Sequence, residues 1–263
     1  MDLTEAQLAQ FDRFRVELLD WNTRINLTSI IDPVAIQSRH FLDSLTALAA
    51  LTGGGRHSEV RGRIVDVGSG PGIPGIPLAI VLPLARVTLV EATQKKCRFL
   101  DHAVGTLGLM NVEVICGRSE EVAARSDRRE LFDVAIARAL APLPTLVELC
   151  LPFVRVGGKL IAMKKLGIED EVQRAQIVVA VLGGRLLPPI QVRVPILDEL
   201  RQLVVVEKIK QTPRGFPRRA GLAGKAPIGA GPVAPPGLQK SSRRPRTGIR
   251  VLGSGDNVNR RPD

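Results

Sequence analysis

Five short runs rich in Val and Ile, at Arg63–Gly68, Arg86–Glu91, Val112–Gly117, Phe132–Arg138 and Lys159–Lys164, are separated by stretches with helical character. Those stretches are Ile76–Leu82, Thr93–Leu107, Ser119–Ala124 and Leu143–Phe153. Strands that alternate with helices return parallel through right-handed crossovers, so the pattern predicts an α/β protein with a mostly parallel sheet flanked by helices. After a helix over Ile168–Leu182, the runs Ile190–Val194 and Gln202–Lys208 bring the expected sheet to seven strands, the last two an antiparallel hairpin.

Ahead of the sheet, Leu8, Phe11, Phe14, Leu18, Trp21 and Ile25 recur three and four apart, the stripe of an amphipathic helix. Asp32-Pro33 then caps a second helical segment that ends at Gly53-Gly54-Gly55. From Gln211 onward Pro, Gly, Arg and Lys dominate without period. The expected organisation is a helical region over 1–55 packed on a Rossmann-like domain over 56–210, with a basic, unordered tail over 211–263.

Charge follows the same division. The net charge is +11, and Lys208–Asp263 holds 13 basic and 2 acidic residues. Residues 1–207 therefore carry 24 of each sign, so the body is neutral and the excess lies in the tail. Three cysteines, Cys97, Cys116 and Cys150, with no CxxC pair point to reduced thiols and a cytoplasmic protein. His57 and His102 have no partner at metal spacing, so no metal is expected. The start MDLTEAQLAQFDRF does not read as a signal peptide, and the apolar stretch Pro71–Ala85 is too short and too proline-broken to span a bilayer. No membrane partner follows from such a chain.

The strongest local signal is Asp66-Val67-Gly68-Ser69-Gly70-Pro71-Gly72, between the first strand and the next helix. Glycines there let the backbone approach a nucleotide, with the polar end of the ligand at the helix N-terminus. Ile73 stands where a dinucleotide fingerprint needs its third glycine. Asp66 before G-x-G-x-G, with Glu91 at the end of the second strand, instead looks like the pattern of S-adenosylmethionine-dependent methyltransferases. Glu91 is then a candidate to accept the ribose hydroxyls, and Asp66 to position the loop. Ser119 and Glu120, after the third strand, are candidates for the adenine edge. For the acids the competing reading is an ordinary strand end, and for Ser119-Glu120-Glu121 a helix N-terminus.

After the fourth strand stands Ala137-Arg138-Ala139-Leu140-Ala141-Pro142 rather than the N-P-P-Y or D-P-P-Y clamp that orients an exocyclic amine. No cysteine has the setting of a pyrimidine-C5 nucleophile. An acceptor with an exposed lone pair remains, a ring nitrogen or a hydroxyl. Arg138 is the candidate to hold it, a plain salt bridge being the competing reading. Arg39, His40 and Asp43 share a helical face by spacing and either meet the substrate or form a polar joint to the sheet.

Four stretches together resemble the bacterial 16S ribosomal RNA guanine-N7 methyltransferases, the glucose-inhibited division protein B family: Trp21-Asn22 with Asn26-Leu27-Thr28, Arg39-His40 with Asp43-Ser44, DVGSGPGIPGIPLAI over Asp66–Ile80, and Ala137-Arg138-Ala139. The resemblance covers about residues 1–228 and implies a Rossmann-like class I methyltransferase acting on N7 of guanine 527 in 16S ribosomal RNA or the small subunit; apart from the resemblance, a monomer is expected. The resemblance implies that Gly68, Gly70 and Ile73 line the cofactor site, with Ser119 and Glu120 at the adenine and Arg138 near the reacting end. A non-catalytic RNA-binding or assembly factor on the same fold is the alternative. Gly229–Asp263 extends beyond the usual ending of the family. Deleting residues 229–263 is expected to leave cofactor binding intact and to weaken RNA affinity most at low salt, as titrations of the truncated chain would read. Loss of cofactor binding on truncation would contradict a separable tail.

Overall fold

The computed structural model describes residues 2–229 apart from positions 54 and 198. The expectation for residues 230–263 lies outside the described residues. Burial on both faces explains why the strands read as nearly unbroken apolar runs. In β1 (Gly62–Val67), Ile64 enters one core layer while Val65 and Val67 enter the other. The same division recurs in β2 (Ala85–Glu91), β3 (Val112–Cys116), β4 (Phe132–Arg138) and β5 (Val154–Lys165). These five strands are parallel, in the order β3-β2-β1-β4-β5.

Three more strands complete the sheet: β6 (Gly184–Leu186), β7 (Ile190–Val194) and β8 (Glu199–Lys208). β8 lies antiparallel beside β5, and β6 and β7 both pair with its outer edge. The described residues thus form eight strands rather than the seven expected. Leu186 pairs with Val206 and Ile190 with Leu203, so β6 and β7 are two pieces of one edge strand. Pro188 and Pro189 divide it, because proline has no N–H for the ladder.

One face of the sheet carries α1 (Glu5–Asn22) and a helical segment made of α2 (Pro33–Ile36), a π-helical turn (Gln37–Leu42), α3 (Asp43–Leu45) and α4 (Leu48–Leu51). α5 (Gly75–Val81) and α6 (Gln94–Thr106) lie on the same side, and Phe14 of α1 stacks on Phe41 and Phe99. Trp21 tilts against Phe99 with centroids 5.7 Å apart, so it packs rather than projects. The other face carries α7 (Ser119–Ala124), α8 (Leu143–Cys150) and α9 (Glu169–Val181).

The expected boundary at residue 210 is corrected by the structure. Gln211–Gly229 lies against the body, and α10 (Leu222–Lys225) buries Ala223 beneath Thr145, whose hydroxyl donates to Ala223 O (3.1 Å). Lys208, fully buried, pairs with Glu130 at 3.2 Å, and Arg129 donates to the carbonyls of Thr212 and Phe216. Arg218 closes on Glu148, whose side chain is 1% exposed. The composition that reads as unordered is offset by these buried polar anchors, which a composition average does not register. Arg218→Ala strands the Glu148 carboxylate and should cost about 3 kcal/mol in urea unfolding, the low end for breaking a buried pair. A loss below about 0.5 kcal/mol would mean that the segment contributes no such anchor.

Candidate functional site

The sheet reverses its winding between β1 and β4, and in such sheets a crevice opens beyond the carboxyl ends of the strands at that point. A cleft of about 690 Å³ lies there. Its walls include Gly68, Gly70, Ile73, Glu91, Ser119, Glu120 and Arg138. Of the residues assigned in the sequence to the cofactor and the reacting end, Asp66 alone is not on the wall.

Asp66 sits directly beneath, fully buried at the end of β1. Its Oδ2 accepts Gly75 N–H at 2.9 Å, which ties the first turn of α5 to the strand, while Oδ1 has no partner. A Cβ on Gly75 would stand 2.7 Å from that carboxylate and 2.3 Å from Leu89, so glycine is what allows the contact. Burial, with the nearby Glu91 charge adding to it, pushes the Asp66 carboxyl up to about 7 against the bond from Gly75. Gly68, at φ +72°, turns the chain out of β1, and a Cβ there would meet Leu140 at 2.4 Å.

Glu91 is buried and accepts from both sides: Gly70 N–H to Oε2 at 3.0 Å and Thr93 N–H to Oε1 at 2.7 Å. It therefore joins the glycine loop of β1 to the start of α6. Glu120 accepts Ser119 Oγ–H at 3.1 Å and Gly221 N–H at 2.8 Å, the latter from the C-terminal segment. Each carboxylate oxygen keeps acceptor capacity beyond these bonds.

Arg138 leaves β4 into a network. Its Nε pairs with Asp43 Oδ2 at 3.0 Å, Nη2 donates to Arg39 O at 2.7 Å, and Nη1 is buried without a partner. Asp43 holds Arg201 of β8 as well, at 2.8 Å, and Arg201 and Arg39 share Glu199. Arg39 and Asp43 thus form a joint between the helical region and the sheet. His40 departs from them: its Nε2 lies 2.8 Å from Thr28 Oγ1 and its ring lines the cleft. Burial and the Arg138 charge lower its pKa to about 4, so it is neutral near pH 7. The π-helical turn, a feature uncommon outside functional regions, carries Arg39 and His40.

Sequence reasoning missed several wall residues. Leu27 and Thr28 reach the cleft because Asn22 Oδ1 accepts both their N–H groups and its Nδ2 donates to Thr28 O. Gly221 and Gly224 come from the segment read as tail. The stretch Asn22-x-x-x-Asn26-Leu27-Thr28 was the available signal for the first pair; no local pattern marked the second.

A family model described as GidB, rRNA small subunit methyltransferase G, matches residues 7–193. The chain belongs to this family. A ribosomal RNA small subunit methyltransferase G from Dehalococcoides mccartyi is 44% identical over 228 residues, 87% of this chain and 94% of that protein. One from Roseiflexus castenholzii is 47% identical over 226 residues, 86% and 94% of the two. A solved structure of an MtNAS mutant in complex with S-adenosylmethionine shares the Rossmann-like class I fold, with TM-score 0.51 and 20% identity over 75% of this chain and 73% of that one.

In this family member the raised Asp66 pKa has a definite sign. The folded state holds the proton more tightly than an ordinary carboxyl at 3.8, so its contribution to stability falls as pH rises from about 4 to about 7 and is level above. Relative to Asp66→Asn, the wild type should lose up to about 1.4 kcal/mol per pH unit across that window, read by urea unfolding from pH 5 to 8. Parallel stability curves for the two proteins would contradict a buried, titrating Asp66.

Proposed function

We propose that the chain transfers a methyl group from S-adenosylmethionine to N7 of guanine 527 in 16S ribosomal RNA, a cytoplasmic substrate. The observation that carries this reading is the crevice at the switch point of a small-subunit rRNA methyltransferase family member, with its glycine loop bonded to Glu91. The cleft falls in the range of small-molecule sites. A Cβ on Gly70 would meet nothing nearer than Gly68 O at 3.9 Å, so the backbone there is open to a ligand. Glu91 has acceptor capacity left for ribose hydroxyls, and Ser119 and Glu120 flank the place for an adenine edge. Ile73, 6% exposed, supplies apolar contact.

When bound, S-adenosylmethionine supplies a methyl group on a sulfonium. The chain's own contribution is placement. Guanine N7 presents a lone pair and loses no proton, so no general base is required, in keeping with a His40 that burial and the Arg138 charge make a weak base, its pKa lowered to about 4. Arg138, clamped by Asp43, lines the cleft with one buried donor left unpaired, and is the group assigned to the base edge.

Calorimetry should register S-adenosylmethionine binding, weakened at least about tenfold by Glu91→Ala, the scale of a charge-assisted hydrogen bond. Labelled methyl groups should enter hypomethylated small subunits at N7 of guanine 527, and Arg138→Ala should lower kcat/KM by about a hundredfold. Cofactor binding without any label in RNA would end this reading, and absence of both would favour a binding factor.

A further inference from the structure

We infer that the RNA-docking face is the rim of the cleft where Lys95, Lys96 and Arg118 are joined by Arg219 and Lys225 of the C-terminal segment, a surface for RNA phosphates. This deepens the proposed function and rests on it. Placement comes from the cleft itself: Lys96, Arg118, Gly221 and Gly224 all line it, and Gly221 N–H bonds Glu120 at the foot of the Arg118 turn. Arg219 lies two residues before Gly221, and Lys225 directly follows Gly224.

These cations are poorly explained by the fold. Arg128, Arg138, Arg201 and Arg218 each pair with a carboxylate. Among the described residues none of the five rim cations does, and all but Lys96 are exposed. Lys95 and Lys96 lie in the first turn of α6, and Arg118 is the N-cap of α7. A cation at the positive end of a helix is unfavourable, so helix stability selects against all three positions. A polyanion over the rim would reverse that cost. The nearby carboxylates Glu91 and Glu120 are buried and bonded to backbone N–H groups, leaving Glu121 as the exposed acid of the α7 turn.

The C-terminal segment sharpens the case. Lys208–Gly229 contains six basic residues and no acid. Lys208 and Arg218 pair internally with Glu130 and Glu148 and anchor the segment, which leaves four exposed cations, Lys210, Arg214, Arg219 and Lys225, of which the last two neighbour the cleft glycines in the chain. One strand of chain thereby walls the cleft with its glycines and carries charge on its outer side. A second basic pair, Arg63 and Arg86, sits side by side in register at the opposite end of the sheet, lining a separate hollow of about 820 Å³.

The test uses the full chain and a 16S ribosomal RNA transcript. Lys95→Gln, Arg219→Gln and Lys225→Gln are combined, and Arg63→Gln with Arg86→Gln serves as the second variant. The triple variant should bind RNA about tenfold or more weakly at 0.1 M salt, with a salt-dependence slope smaller by roughly 2–3, the loss of three phosphate contacts. Its S-adenosylmethionine affinity should stay within about twofold, which also reports a native fold; the Arg63 and Arg86 variant should match the wild type throughout. If the wild type methylates RNA but the triple variant binds it equally well, or the Arg63 and Arg86 variant loses as much, the docking face is refuted and the function stands. A wild type that neither binds nor methylates RNA would overturn both.

Discussion

Asp43 is held between two guanidinium groups, Arg138 at the end of β4 and Arg201 in β8, at 3.0 and 2.8 Å. It stands 2% exposed at the junction of the π-helical turn and α3. A buried carboxylate in such a place is costly unless fully paired, and each arginine would be left with a burial cost without it. The pairing therefore permits one position of the helical region on the sheet. That position brings His40 and Thr28 to the cleft and holds Arg138 away from solvent with one donor free. The desolvation that lowers the Arg138 pKa is the same burial, opposed by the Asp43 charge.

The other carboxylates of the site work in a related way. Asp66, Glu91 and Glu120 each accept backbone N–H groups from a different segment: Gly75, then Gly70 and Thr93, then Gly221. The glycine loop, the start of α6 and the C-terminal segment are thus tied to β1, β2 and the first turn of α7. A site assembled on such bonds presents its backbone before any ligand arrives, which lowers the ordering cost of binding. The structural and ligand-facing readings of these acids are compatible, since a carboxylate oxygen has two acceptor positions.

Much of this was legible in the chain. Alternating β-rich and helical runs imply the parallel sheet because a crossover needs a helix, and the short helical run Ser119–Ala124, with acids in its first turn, is α7 in the structure. The glycine loop and its flanking acids were legible because the chemistry is local: a turn with φ above zero, and strand ends on one side of the sheet. The eighth strand was not, since three residues before a double proline carry too little pattern. Nor was the docking of Gln211–Gly229, whose anchors are single polar side chains meeting partners 70 or more residues away.

The sequence by itself determined the fold class, the place of the glycine loop and the acids that serve it, because each depends on neighbours within one strand-turn-helix unit. It also set the separation of charge along the chain. The tertiary structure decided which carboxylate Arg138 pairs with, that His40 turns into the cleft while Arg39 and Asp43 build a joint, and that Gly221 and Gly224 complete the wall. These are contacts between segments distant in the chain, chosen by burial and charge pairing, and no local periodicity encodes them.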